Sequence, residues 1–288
     1  MNIDPLISVV VCSINKKYFG TFEKNIAETI GCEYELIKVD NSINPRGICE
    51  VYNRALEQAK GGIICYCHED ISFETNGWGK EILSVLKHEE IGLVGIAGSI
   101  YKSKYPTSWV NVPQAYYRAN IKQEQQDGNF LYTKILDEGE YSEVAVLDGC
   151  FIAGRKEIFN LYQWNETQLK GFHLYDLDIS IRVMKHFKLA VANNITILHL
   201  SSGNFDATWL NESIQYHAIN KAAFPVTVSE IEREDIKKLD YYGLTILLQM
   251  FNNNNQPFSV KFNFALKAIL KFPFKKNNIN LLKSVFNN

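Results

Sequence analysis

Residues 34–70 read YELIKVDNSINPRGICEVYNRALEQAKGGIICYCHED, and three segments within them decide the fold. Residues 35–39 form a short apolar run suited to a strand. Ile48, Val51, Tyr52, Ala55, Leu56 and Ala59 then recur three or four residues apart, which places them on one helical face ended by Gly61-Gly62. Ile63–Cys67 is a second compact apolar run. A strand, a helix and a strand within 37 residues are the alternation of a mostly parallel sheet with helices on its faces.

The same alternation extends in both directions. Upstream, residues 7–12 are β-branched and compact, and Phe22, Ile26 and Ile30 follow at helical spacing before Gly31. Downstream, residues 82–86 read as helix and 91–97 as strand. Strands near 144–147 and 150–153, a helix from Asp176 to about Phe187 and a strand over 190–198 complete the pattern. The expected fold class is α/β, with a mostly parallel Rossmann-like sheet and helices on both faces. Residues 101–143, rich in Tyr, Gln, Asn and charge, read as an elaborated loop region. The main domain is expected to span 1–224, followed by a helical extension over 225–288 that includes a charged stretch from Ser229 to Asp240.

Bulk composition removes several classes of function. A net charge of -2 over 288 residues provides no basic field, so nucleic acid is not expected as a partner. The six cysteines contain no C-x-x-C pair and mostly lie in apolar runs, which reads as buried thiols in a reducing compartment. The N-terminus lacks a basic leader, and no apolar run is long enough to span a bilayer, so the expected location is cytoplasmic. The tail differs from the rest: residues 256–288 hold six lysines and no acid, mixed with Val260, Phe262, Phe264, Leu266, Ile269, Leu270 and Phe272. Such a segment either lies on an anionic membrane surface or packs on the domain.

In open α/β sheets ligands gather at the carboxyl ends of strands, so the polar residues just past each apolar run are the candidate site. Ser13-Ile14-Asn15 and Asp40-Asn41-Ser42 suit either turns or a nucleoside, with Asp40 accepting from base or ribose. At His68-Glu69-Asp70, continued extension would put His68 and Asp70 on one face and Glu69 on the other. A carboxylate there is either a solvated turn or a holder of a divalent cation that bridges phosphates. His199, after 190–198, either completes a manganese-type site or is a hydrogen-bonded rim residue. Asp176 opens a helix, where it is either a cap or a general base. Asp178 lies about 200° further around that helix, so the two carboxylates should not share a face.

In this order the pieces resemble the glycosyltransferase family 2 pattern on the GT-A fold, and more narrowly the streptomycin-biosynthesis-type glycosyltransferase-like domain, over about residues 7–210. Residues 8–13 and Val39-Asp40-Asn41-Ser42 are similar to its first strand and "VDNS". Asn53-Arg54-Ala55 through Ala59-Lys60-Gly61 resembles its "N-x-A…A-x-G" helix. His68-Glu69-Asp70 stands where the metal motif Asp-x-Asp is found. Leu147-Asp148-Gly149-Cys150-Phe151-Ile152-Ala153 resembles "DG-x-F-x-A". Residues 172–182, FHLYDLDISIR, resemble "E-D-x-D-L-x-x-R" with Tyr175 in place of the glutamate, and His199 with Ser201-Ser202-Gly203 resembles "H-x-S-x-G".

The resemblance implies a metal-dependent, inverting transfer of a sugar from a nucleotide-diphosphate donor, UDP favoured, to a glycan, lipid-linked or other hydroxyl acceptor. Residues 1–100 would form the nucleotide-binding half and 101–224 the acceptor half. Asp176 would be the base. Asp70 and His199 would hold Mn or Mg, and Ser13, Asn15, Asp40, Asn41, Asn53 and His68 would contact the nucleotide. Trp109, Tyr116 and Tyr117 either stack on a sugar or pack under the loop. Two other readings stay open: a nucleotidyltransferase, and a non-catalytic nucleotide-sugar-binding module, since His68 and Tyr175 stand where the broad pattern has acids.

Overall fold

The structure is a computed structural model that describes residues 5–286 apart from 126, 202, 204 and 229. By contact the chain divides into two compact units, one of residues 1–100 and 115–203, the other of 101–114 and 204–288.

The first unit begins with the expected alternation: β1 (Ile7–Ser13), α1 (Lys16–Thr29), β2 (Tyr34–Asp40), α2 (Ile48–Gln58), β3 (Ile63–Cys67), β4 (Ile71–Phe73), α3 (Trp78–Val85), β5 (Ile91–Gly95) and β6 (Ala97–Ser99). Seven strands form the main sheet, in the order Tyr141–Val144, Lys188–Ala192, β5, Phe151–Arg155, β3, β1, β2. β1 pairs parallel with both β2 and β3, and Lys188–Ala192 pairs parallel with β5. Phe151–Arg155 runs antiparallel between β3 and β5, and Tyr141–Val144 is antiparallel at the edge. The sheet is therefore mixed rather than mostly parallel. Strand direction depends on the connection, and Phe151–Arg155 is reached without a crossover helix.

A second sheet carries the site's other wall, in the order Val146–Leu147, β6, Tyr117–Glu124, Ile197–His199, β4, with Phe130–Ile135 paired to Tyr117–Glu124. The loop expected over 101–143 thus contains Tyr101–Lys102, Tyr117–Glu124 and Phe130–Ile135 and the start of Tyr141–Val144, all strands. Phe130–Ile135 is mostly solvent-facing and Tyr117–Glu124 is buried only at its centre, so neither shows a long apolar run. Asp127-Gly128, with Gly128 at φ +79°, turns the hairpin between them. The core beneath the site is aromatic: Tyr52, Tyr66, Phe159 and Trp164 are buried with ring centroids 4.5–5.8 Å apart. Burial of this kind contributes about 1.5–3 kcal/mol per large side chain.

In the second unit Tyr101–Lys102 pairs antiparallel with Val226–Thr227. Four helices follow, α6 (Ala207–Ile219), α7 (Arg233–Asn253), α8 (Phe258–Lys271) and α9 (Asn278–Phe286), numbered after α4 (Lys156–Leu161) and α5 (Tyr175–Val183) of the first unit. The charged stretch read from residue 229 starts outside the described residues, and its helix begins at Arg233. Leu244, Leu248, Phe251, Ala265, Ala268, Leu281 and Val285 form the buried seam of α7–α9. Among the described residues no helix is long and apolar enough to cross a membrane.

Candidate active site

Sheet register assembles the central cluster. β1, β2 and β3 are parallel, so Ser13, Asp40 and His68 emerge at one end of the main sheet. His199 is the register partner of Ile71 in β4, and the Leu200 amide donates to the Asp70 carbonyl, so the 197–199 strand lays His199 beside Asp70. On the other flank the His68 amide donates to the Cys150 carbonyl, which extends the β3 ladder and brings 148–150 alongside. His199 Nε2 and His68 Nδ1 lie 3.5 and 3.8 Å from Asp70 Oδ1. The His68, Asp70 and His199 ligand atoms all fall within 4.8 Å of one another. Bond lengths of about 2.0–2.6 Å put two ligands of one cation at most about 5.2 Å apart, so the group can hold a single divalent ion. Two imidazoles and a carboxylate suit a borderline ion such as manganese better than magnesium, which prefers oxygen.

The electrostatics match that use at Asp70 and His68, whereas His199 would give up a proton on binding a cation. Burial works to raise the Asp70 carboxyl, but the His199 hydrogen bond and charge outweigh it, and with His68 and Ser201 they hold it well below the usual carboxylate range. His199 is raised despite burial, because Asp70 faces it, whereas burial lowers His68. Asp70 is therefore ionised and His68 neutral near pH 7, the forms that ligate a cation.

Asp176 occupies the first turn of α5, which Leu174 enters at φ +66°. Its Oδ1 accepts from the Leu177 amide at 2.8 Å. Burial, and then the charge of Asp148, push its pKa up to about 7, against the opposing pull of the Leu177 and Gly149 amides. Asp178 points elsewhere, pairing with Arg182 at 2.7 Å and accepting from Asn165 at 3.2 Å while only 3% exposed.

The nucleotide candidates separate into two groups. Ser13, Asn15, Asp40 and Asn41 line the strand ends, and their polar groups also hold that edge together. The Asn15 side chain caps α1 by accepting from the Lys17 and Tyr18 amides. Asp40 accepts from the Ser42 amide and hydroxyl. Asn41 clamps both backbone groups of Arg46, and its amide donates to the Ser13 carbonyl at 2.8 Å. Asn53 lies apart, midway along α2, bonded to both backbone groups of Trp164 and to Glu166. It borders a concavity of about 630 Å³, which it shares with Glu50, Arg54 and Lys156. That hollow runs along α2 from Glu50 and reaches Lys156, whose amide bonds to Gly62 just before β3 begins. Among the described residues the group that could hold a metal ion is His68, Asp70 and His199, none of which lines that hollow.

Four residues given no role by the pattern of strand ends join the site. Asp148 follows a strand as the others do, so the same rule points to it, and its Oδ1 accepts from the Cys150 amide. Glu69 faces away from its neighbours, as the extended backbone requires, and its Oε1 accepts from the Ile14 and Asn15 amides at 3.1 and 2.9 Å. The Tyr175 hydroxyl meets His68, and the Ser201 hydroxyl lies 3.0 Å from His199 Nε2. Nothing local in the sequence announces the first contact, which spans 107 positions, whereas Ser201 follows His199 by two residues in the trailing motif. Ser202, in the trailing motif, lies outside the described residues.

Comparison with known proteins matches residues 8–223 to a glycosyltransferase like family. No curated protein sequence matches. Among solved structures, GalNAc-T7 with UDP, GalNAc and Mn2+ shares the fold at 9% identity and a TM-score of 0.53, over 85% of this chain and 52% of that one. S. aureus TarS does so at 13% identity and a TM-score of 0.50, over 96% of this chain and 50% of that one. This chain thus spans about half the length of either structure.

Proposed function

Because the chain belongs to this glycosyltransferase like family, we propose that it moves a sugar from a nucleotide-diphosphate donor, UDP favoured, to a hydroxyl of a glycan or lipid-linked acceptor, with inversion. The observation that carries the reading is the adjacency of two units of different chemistry. One is the His68–Asp70–His199 cluster, and the other is the half-buried carboxylate pair Asp148 and Asp176, with Asp148 close enough to act by charge on His68, His199 and Asp176. The UDP and Mn2+ bound in the GalNAc-T7 structure support the same choice of donor and ion.

His68, Asp70 and His199 would hold manganese or magnesium, and that ion supplies neutralisation of the departing diphosphate. The β1 and β2 edge, braced by Glu69 and Asn41, receives the nucleoside. Asp176 takes the proton of the acceptor hydroxyl. Its oxygen then bonds to the anomeric carbon as the bond to the diphosphate breaks on the opposite side. A carboxyl at about 7 is well matched to that task near neutral pH, because about half of it is ionised while it is more basic than an ordinary aspartate. Asp148 tunes it by charge.

Calorimetry of UDP with and without manganese tests the site. Asp70→Ala should abolish the manganese-dependent part of UDP affinity, since the cation loses its one carboxylate. Unchanged affinity would remove the ion from this position.

A lipid-linked acceptor would also give the C-terminal helices a purpose. Leu270, Phe274, Ile279 and Phe286 are 72, 97, 66 and 64% exposed beside lysines 267, 276 and 283. An exposed apolar, basic, acid-free segment is complementary to anionic lipid, so this segment is proposed to rest on such a membrane.

A further inference from the structure

The Tyr175 hydroxyl lies 2.6 Å from His68 Nε2 and 2.9 Å from the Gly149 carbonyl oxygen. A carbonyl oxygen only accepts and a phenol carries a single proton, so satisfying both contacts fixes the direction of each. Tyr175 donates to Gly149, which leaves its oxygen able only to accept from His68. His68 must then carry its proton on Nε2. The other ring nitrogen, Nδ1, faces Asp70 at 3.8 Å. In a neutral imidazole with Nε2 protonated, that nitrogen holds the lone pair.

We propose that Tyr175 is a positioning residue that locks His68 in the Nε2–H tautomer and so presents Nδ1 as a ligand to the cation cluster. The proposal rests on the metal site put forward above and deepens it. The reverse arrangement, with the phenol donating to Nε2, would leave the Gly149 carbonyl without this partner and would turn an N–H into the cluster, where no ligand is then offered. The lock is rigid. Tyr175 is 5% exposed, and its ring packs against Tyr52 and Trp164 at 5.9 and 5.6 Å. Residue 149 must be glycine for this approach, since a Cβ there would run into the phenol. The tyrosine also stands where the resembled pattern has a glutamate. A carboxylate at that place would favour the imidazolium, which has no lone pair, whereas a phenol passes the hydrogen bond on to a neutral carbonyl.

The test uses the full chain labelled with 15N-histidine. Long-range nitrogen–proton NMR, with the His68 signals assigned by their loss in His68→Gln, reads the tautomer directly. Manganese affinity in the presence of UDP is measured alongside by electron paramagnetic resonance. The wild-type His68 is expected as Nε2–H. Tyr175→Phe, which keeps the ring and removes only the hydroxyl, should release the tautomer and weaken manganese binding about 10–100-fold, the usual cost of losing a partner that orients a ligand. An Nδ1–H tautomer in the wild type would overturn the proposal. So would wild-type manganese affinity in Tyr175→Phe when Asp70→Ala has lost it. If Asp70→Ala also binds manganese normally, the metal site itself fails, and the NMR result still decides the tautomer. Should Tyr175→Phe not fold, the wild-type tautomer decides alone.

Discussion

Replacing Asp176 with asparagine removes a carboxylate and little else, since the amide oxygen can still accept from Leu177. The native carboxyl titrates at about 7, raised by burial and by Asp148. Its ionised fraction is then about 0.09 at pH 6 and about 0.91 at pH 8, so transfer should rise about tenfold across that interval and then level. In Asp176→Asn the rise should vanish, and the rate should fall by about two to four orders of magnitude, or roughly 2.7–5.4 kcal/mol of barrier. Asp148→Asn removes one of the two causes of the elevation, so its rise should move to lower pH. Asp178→Asn is the control: it should keep the pH profile but lose about 1–3 kcal/mol of stability, because Asp178 pairs with Arg182 in the core. The elevated carboxyl has a second consequence. Between the ordinary value of 3.8 and about 7 the folded metal-free protein binds more protons at Asp176 than the unfolded chain does. Stability should therefore fall as pH rises through that window. Initial rates of nucleoside diphosphate release, with one acceptor and saturating donor and manganese, measure the profile. An Asp176→Asn enzyme within threefold of native, with the same acidic limb, would refute the assignment.

Glu69→Ala strips one acceptor from two loop amides, so it should cost about 2 kcal/mol, seen as a thermal midpoint lower by about 4–8 °C; an unmoved midpoint would mean that Glu69 does not brace the edge. Leu270→Ser with Phe274→Ser should abolish co-sedimentation with anionic vesicles at low salt while leaving soluble-acceptor transfer intact. Native protein that ignores such vesicles, or a dimer that covers these residues, would end the membrane reading.

The strand–helix–strand unit in residues 34–70 was legible because all five residues of β3 are buried and α2 carries one buried face, although β2, at the sheet edge, has no buried residue. Strand direction was not, since Phe151–Arg155 is as apolar as β3 yet runs the other way. The hairpin of Tyr117–Glu124 and Phe130–Ile135 escaped because its outer strand is largely wetted, although Asp127-Gly128 marked its turn. At the site, the rule of polar residues after strands reached Asp70 and His199, which the register brings to 3.5 Å. Asp148, which follows the strand Val146–Leu147, satisfies it equally. Asn53 was carried by motif alone, and the structure gives its side chain to Trp164 and Glu166, away from the cluster. The contact between Tyr175 and His68 spans 107 positions of chain, and no local spacing can express it.

Turnover of a donor decides the matter most directly. The purified chain, with manganese and a panel of nucleotide sugars, should slowly release nucleoside diphosphate from at least one donor, and Asp70→Ala should release none. Binding without release across the whole panel would make this a sugar-binding module, and diphosphate formed only from nucleoside triphosphate and sugar phosphate would make it a nucleotidyltransferase; either result contradicts the proposed function.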